Sequence, residues 1–219
     1  MWPAERIVRH SPCHKARLLH YFEPDADSPS PGLDVRRWPA LCPRPSILCP
    51  PLVLMAGWPR QDPGWCGWHA DHGSLTGLVA GMYTEGRGTE QPLPPEGSGG
   101  LHIRSRGGAV VRAVFPADSL VFQVGETAQI LSGGLLEATP HCVLAPAAGG
   151  AGLCRNSFAV FMQPRWDEPM APPPAFAEDV AVSGWQGGQD FGAFTVAKFS
   201  GYYGGEEGEE EAGGGGPRL

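Results

Sequence analysis

The residues best suited to chemistry lie in residues 65–83, WCGWHADHGSLTGLVAGMY. His69 and Asp71 stand two apart, so on an extended strand both side chains leave the same face and can converge on one ion. A lone H-x-D is a weak signal. His141, in ATPHCV at 138–143, adds a second imidazole from a separate predicted strand. Two imidazoles and one carboxylate make the facial set that suits Fe(II) and leaves coordination positions open. The same three side chains are also compatible with a zinc or other metal site, or with a satisfied polar cluster. Residues 155–157, RNS, then bring Arg155 and Ser157 to one strand face. An arginine fork holds a carboxylate bidentately, and a hydroxyl beside it adds a further hydrogen bond.

Strands must carry these groups. Short apolar and β-prone runs occupy residues 16–22, 74–83, 101–106, 109–115, 119–124, 139–144 and 157–163, divided by Gly and Pro, which gives about seven strands of an all-β domain. Residues 126–131 read as one helical turn stopped by Gly133 and Gly134. Near the end, Asp190 is placed to cap a helix whose Phe191, Phe194, Lys198 and Tyr202 fall on one face, packing on the sheet. Many short strands with one covering helix predict a sandwich or jelly roll.

The chain of 219 residues contains 32 Gly and 24 Pro, which is high enough to raise disorder, yet 42% of it is hydrophobic and seven residues are Trp. Residues 1–15 form a short basic stub, residues 16–203 the folded domain, and residues 204–219 a disordered acidic Gly-rich tail. Within the domain, residues 23–64 show no apolar period of two or 3.6 and read as an irregular insertion; 28–60 have the character of translated non-coding sequence. Cys42 and Cys49 there are at most half of a zinc site. The formal charge of −7 is concentrated in the tail, and no basic stripe offers itself to nucleic acid. Six scattered Cys and no long apolar run fit a cytoplasmic protein with reduced thiols and no membrane span.

The ordered set H-x-D, distal His and R-x-S resembles the 2-oxoglutarate and Fe(II)-dependent oxygenases. The flanking text is similar to their isopenicillin N synthase-like branch in plants and algae, through WCGWHADHGSLTGL, LVFQVGETAQILSGGLLEATPHCV, RNSFAVFMQP and FGAFTVAKFSGYY. The resemblance implies a double-stranded β-helix, or jelly roll, with His69, Asp71 and His141 as iron ligands and Arg155 with Ser157 on the far carboxylate of 2-oxoglutarate. It implies a dioxygenase that couples oxidative decarboxylation of 2-oxoglutarate to oxidation of a small-molecule substrate, with dioxygen as co-reactant and ascorbate as an accessory reductant. Relatives often carry a tyrosine on the strand before H-x-D; that position reads here as Phe22, beside Tyr21, and so lacks a hydroxyl. Relatives also have a long helical N-terminal region, of which only the stub is present. The rival reading is therefore a truncated, inactive member that serves as a metal-binding or interaction module. His72 is expected in a loop beside the metal, Trp65 and Trp68 in packing around it, and His20 and His102 as ordinary strand residues.

Overall fold

Short β-prone runs broken by Gly and Pro pair into two antiparallel sheets. The computed structural model describes residues 3–22, 64–85, 88–91, 99–146, 152–176 and 180–203. Helix α1 (Pro3–His10) leads into β1 (Lys15–Tyr21), followed by β2 (Gly64–His69), β3 (Leu75–Leu78), β4 (Met82–Glu85), β5 (Thr89–Gln91), β6 (Gly100–Arg104), β7 (Val110–Arg112) and β8 (Val121–Val124). Then come α2 (Glu126–Leu131), β9 (His141–Leu144), β10 (Leu153–Met162), a 3-10 turn (Pro174–Phe176) and α3 (Phe191–Tyr203). One sheet runs β5-β4-β10-β3-β8 with β1 also on β10, and the other runs β2-β9-β6-β7. This is the expected mainly β jelly roll.

β10 is the spine of the larger sheet. It pairs along its length with β1 on one side, and with β3 and then β4 on the other. The run 74–83, expected as one strand, is therefore two. The break between β3 and β4 includes Gly81, which lies against the Arg155 side chain and leaves no space for a Cβ. β10 itself starts earlier than expected, at Leu153, so Arg155 lies inside the strand.

The sheets close over Leu78, Leu101, Val143 and Ala159, with Leu19, Tyr21 and Phe161 packed against them. A second apolar cluster of Ile130, Met170, Phe191 and Phe194 ties α2 to α3, with Val180, Val182 and Trp185 at its edge. The helix expected after Asp190 is present, and the Asp190 carboxylate accepts a hydrogen bond from the Ala193 amide at 2.7 Å. Its Phe191 and Phe194 pack on Ile130 of α2 and on Met170, a correction to the expected packing on the sheet. The stub is also helical where no element was expected. Ile7 is buried, and Arg6 pairs with the buried Glu168. The 23–63 stretch, including Cys42 and Cys49, and the 204–219 tail lie outside the described residues.

Lys198 of α3 reaches Glu126 of α2 at 2.6 Å, both side chains buried. Burial pushes the Glu126 carboxyl pKa up and the Lys198 ammonium pulls it back only in part. Removing one partner of such a pair strands the other charge, at a cost of about 3–5 kcal/mol. Lys198→Met should lose that much in urea unfolding, while Lys198→Met with Glu126→Gln should recover most of it. Equal losses in the single and double variants would mean that the pair is not coupled.

Candidate metal centre

His69 ends β2 and His141 begins β9, and the antiparallel register sets them directly opposite each other. Their rings lie 4.2 Å apart, centroid to centroid. His69 Nδ1–H donates to the Gly67 carbonyl at 2.7 Å, and His141 Nδ1–H donates to the Thr139 carbonyl at 2.9 Å. Each backbone contact fixes the tautomer and leaves Nε2 with its lone pair available to an ion. Asp71 follows two residues after β2. Its Oδ2 accepts the Thr76 hydroxyl at 2.5 Å, and its Oδ1 lies 3.9 Å from His69 Nε2. One ligating atom from each of His69, Asp71 and His141 falls within 4.8 Å of the others. The structure thus brings together the three residues singled out in the sequence.

The loop that carries Asp71 is held by its backbone. The Asp71 carbonyl accepts the Glu126 amide at 2.8 Å and the Gly73 carbonyl accepts the Thr127 amide at 3.1 Å. The His72 carbonyl accepts the Thr127 hydroxyl at 2.7 Å. Gly125 allows this approach, because a Cβ there would collide with the carbonyl oxygens of Gly73 and Asp71. Sequence reasoning saw 126–131 only as a helical turn. Its positioning role depends on a contact across more than fifty residues, which spacing does not reveal.

Without an ion the two histidines titrate apart. Burial opposes the charged form of His69, but the Cys66 thiol, the Gly67 carbonyl and Asp71 outweigh it and lift its pKa to about 9. Burial, and then the charge of His69, push His141 down. The pair keeps one proton near neutrality. Two imidazoles and a carboxylate are the donor set suited to Fe(II), with Cys66 turned toward the opposite ring nitrogen of His69. The residues present fit the ion.

Arg155, Ser157, Ala159 and Phe161 of β10 and Lys15, Arg17, Leu19 and Tyr21 of β1 alternate into one cavity of about 590 Å³ that also contains the three metal-site residues. Arg155 is 5% exposed, and its guanidinium donates to Ser157 Oγ at 3.3 Å. Among the described residues no carboxylate pairs with it, and its Nε has no partner. It also stands over the Tyr21 ring at 5.4 Å. Phe22 is 75% exposed and contacts His20 edge-on, so the expected loss of a hydroxyl is corrected: Tyr21 is the inward residue of HYF. Burial raises the Tyr21 pKa, with Cys66 and Asp71 adding to it against Arg155, so the phenol keeps its proton as a donor.

His72 stays out of the cluster. It stacks flat on Phe191 with centroids 5.6 Å apart and accepts a hydrogen bond from Gln163 Nε2 at 3.3 Å. Burial lowers its pKa to about 4 against the pull of Asp71, helped by Lys15, Lys198 and Arg17. Trp65 packs on Tyr21 and Tyr83 and donates to the Phe22 carbonyl, while Trp68 lies under Arg104. His20 bonds to Asn156 and His102 to the Gly100 carbonyl, as ordinary strand residues.

No family model and no curated protein sequence matches the chain. Solved structures do. A 2OG-Fe(II) oxygenase family protein from Caulobacter crescentus superposes at a TM-score of 0.52 with 18% identity, covering 86% of this chain and 46% of that one. An oxygenase from Shewanella oneidensis gives 0.51 with 15% identity, covering 91% and 51%. A full-length Neurospora crassa protein, solved with alpha-KG and thymine, gives 0.49 with 19% identity, covering 87% and 44%. The chain spans about half the length of these proteins or less. Its fold is that of the 2OG-Fe(II) oxygenases. No helix among the described residues is long and apolar enough to cross a membrane.

An ion bound here must displace the proton that His69 holds below about pH 9, so affinity should rise with pH. Titration of the protein with Mn(II) between about pH 6 and pH 8 should show a gain approaching tenfold per unit. An affinity that ignores pH would place the ion on other groups.

Proposed function

We propose that the chain is a non-haem Fe(II)- and 2-oxoglutarate-dependent dioxygenase acting on a small molecule. The observation that carries this reading is Arg155. A buried guanidinium without a carboxylate partner is costly, and it is retained where an anionic ligand completes it. It shares its cavity with a His-Asp-His set whose donor types suit Fe(II). Residues 16–203 are taken as the jelly-roll unit. The text at 65–78 and 155–164 favours the isopenicillin N synthase-like branch. Dioxygen as co-reactant, ascorbate as accessory reductant and a cytoplasmic setting belong to the same proposal.

In this reading His69, Asp71 and His141 hold the iron. The metal, once bound, supplies the redox chemistry that links decarboxylation of the 2-oxo acid to succinate and carbon dioxide with oxidation of the substrate. The protein's own groups hold and orient. Arg155 and Ser157 grip the far carboxylate of 2-oxoglutarate, and Tyr21 offers a phenolic donor on the same wall. Thr76 fixes the Asp71 carboxylate, and the two backbone carbonyls fix the imidazoles. Leu19, Leu78, Leu101 and Val143 line the space and limit water. The convergence of His69, Asp71 and His141 in one cavity with the buried Arg155 favours this reading over that of an inactive member.

Succinate formation from 2-oxoglutarate, with Fe(II) and ascorbate supplied, tests the proposal. Activity should be lost in His69→Ala and Asp71→Ala and on addition of a chelator. Arg155→Ala should raise the 2-oxoglutarate requirement by about 2–5 kcal/mol, roughly thirty- to several-thousand-fold. If a well-folded sample shows no metal-dependent decarboxylation, even uncoupled, the dioxygenase reading fails.

Gly81 offers a subtler probe of the same grip. A Cβ there would sit 2.6 Å from Arg155 Nε, so Gly81→Ala must displace the guanidinium. We expect its 2-oxoglutarate requirement to rise on the order of tenfold while the metal affinity stays at the parent value. An unchanged requirement would show that Arg155 does not hold the acid.

A further inference from the structure

The cavity has more cationic groups than the metal and cosubstrate explain. Lys15, Arg17, Arg155 and Lys198 line it, and among the lining residues Asp71 is the sole carboxylate. Lys198 is neutralised by Glu126. On the dioxygenase reading, a dication and a dianionic 2-oxo acid leave Asp71 and Arg155 balanced against each other. Lys15 and Arg17 are left over, and neither has an acidic partner among the described residues.

Their placement is built into the sheet. Lys15, Arg17, Leu19 and Tyr21 occupy alternate positions of β1, so they share its cavity-lining face, with Lys15 and Arg17 exposed at the open end and Leu19 and Tyr21 half-buried further in. The register sets Tyr21 beside Arg155 and Arg17 beside Ala159, about 13 Å further along the strand at 3.3 Å per residue. Lys15 faces Phe161, and the Arg17 guanidinium lies 5.3 Å from the centre of that ring. This cation–π contact holds the Arg17 guanidinium against the Phe161 face of the cavity. Thr76, which holds the Asp71 carboxylate, pairs with Phe161 from the other side of β10. The two cations therefore stand at the metal end of the cavity, apart from the end gripped by Arg155. Phe161 and Phe199 supply apolar surface between and around them.

We infer that the oxidised substrate is itself a carboxylic acid with an apolar body, its carboxylate held by Arg17 and Lys15 and its body lying on Phe161 and Phe199 beside the metal site. This rests on the dioxygenase reading above. It goes further by naming the charge and shape of the molecule at the second end. A guanidinium and an ammonium at a half-open mouth recognise a carboxylate through charge-assisted contacts that a neutral amide of the same shape cannot match.

The test uses the full chain loaded with Mn(II) in place of Fe(II), so that nothing turns over. 2-Oxoglutarate is titrated first, and its binding is read on its own by calorimetry; no binding at that stage tells against the dioxygenase reading. With 2-oxoglutarate saturating, phenylacetate, 3-phenylpropanoate and octanoate are then each compared with the corresponding amide. At least one acid should bind on the order of tenfold more tightly than its amide, with the margin shrinking as salt is raised. Arg17→Gln and Lys15→Gln together should erase that margin, and Arg155→Ala should weaken 2-oxoglutarate and leave the margin. The inference is overturned if no acid outbinds its amide, or if the double variant keeps the preference. It is also overturned if the preference disappears with Arg155→Ala, since the acids would then be occupying the cosubstrate's place.

Discussion

Opposite each other on β2 and β9, His69 and His141 can share an ion only while those two strands hold their register. A slip of one residue would send one imidazole to the other side of the sheet and dissolve the site. Much of the surrounding structure is explained by that demand. β2 reaches the histidine pair through irregular pairing on both sides of Cys66, so the strand is bent as well as paired. The ring orientations are then fixed by the carbonyl two residues before each histidine, Gly67 for His69 and Thr139 for His141. The Asp71 loop is clamped from a different element, α2, whose own position depends on the apolar cluster with α3. The C-terminal helix thus supports the metal end of the barrel from a distance, through Ile130 and the Lys198–Glu126 pair.

The opposite end obeys a different constraint, the cost of burying charge. Arg155 gives up most of its hydration and gains one hydroxyl, one aromatic face and the open space over Gly81. An arginine placed this way is pre-oriented for a planar anion, because its fork is rigid and its surroundings leave few other rotamers. The broken strand between β3 and β4 belongs to the same arrangement, since a continuous β3 with side chains at every position would occupy the guanidinium's space. Packing at this end of the cavity is therefore set by one glycine in the break between β3 and β4 and one arginine on β10.

The convergence of His69, Asp71 and His141 was legible in the sequence because H-x-D sends two side chains to one face of an extended strand and a distal histidine offers a third donor of the same kind. The jelly roll was legible through the spacing of short runs and glycines. The choice between Tyr21 and Phe22 was not. HYF presents two aromatic residues on opposite faces, and only the pairing of β1 with β10, more than 130 residues away, decides which face is inside. The roles of Thr76 and Thr127 were equally hidden, because a threonine that anchors a carboxylate or a carbonyl looks like any β-prone residue. Helix α1 was missed for a related reason. Its anchors, Ile7 and the Arg6–Glu168 pair, depend on a surface formed by distant parts of the chain.

β1 carries Tyr21 at one end of the cavity and Lys15 and Arg17 at the other, yet β10 is its one hydrogen-bonded neighbour among the described strands, and Leu18 on its outer side is 85% exposed. Among the described residues, a wall of the cavity is thus also the margin of a sheet. Strands held along one edge open more readily than those held along two, with local free energies well below that of global unfolding. A molecule bridging from the metal end to Arg155 would act on β1 as a zipper tag acts on its track, and its residence time would be tied to how often that strand peels away. Ligand release and strand fraying would then be two views of one motion.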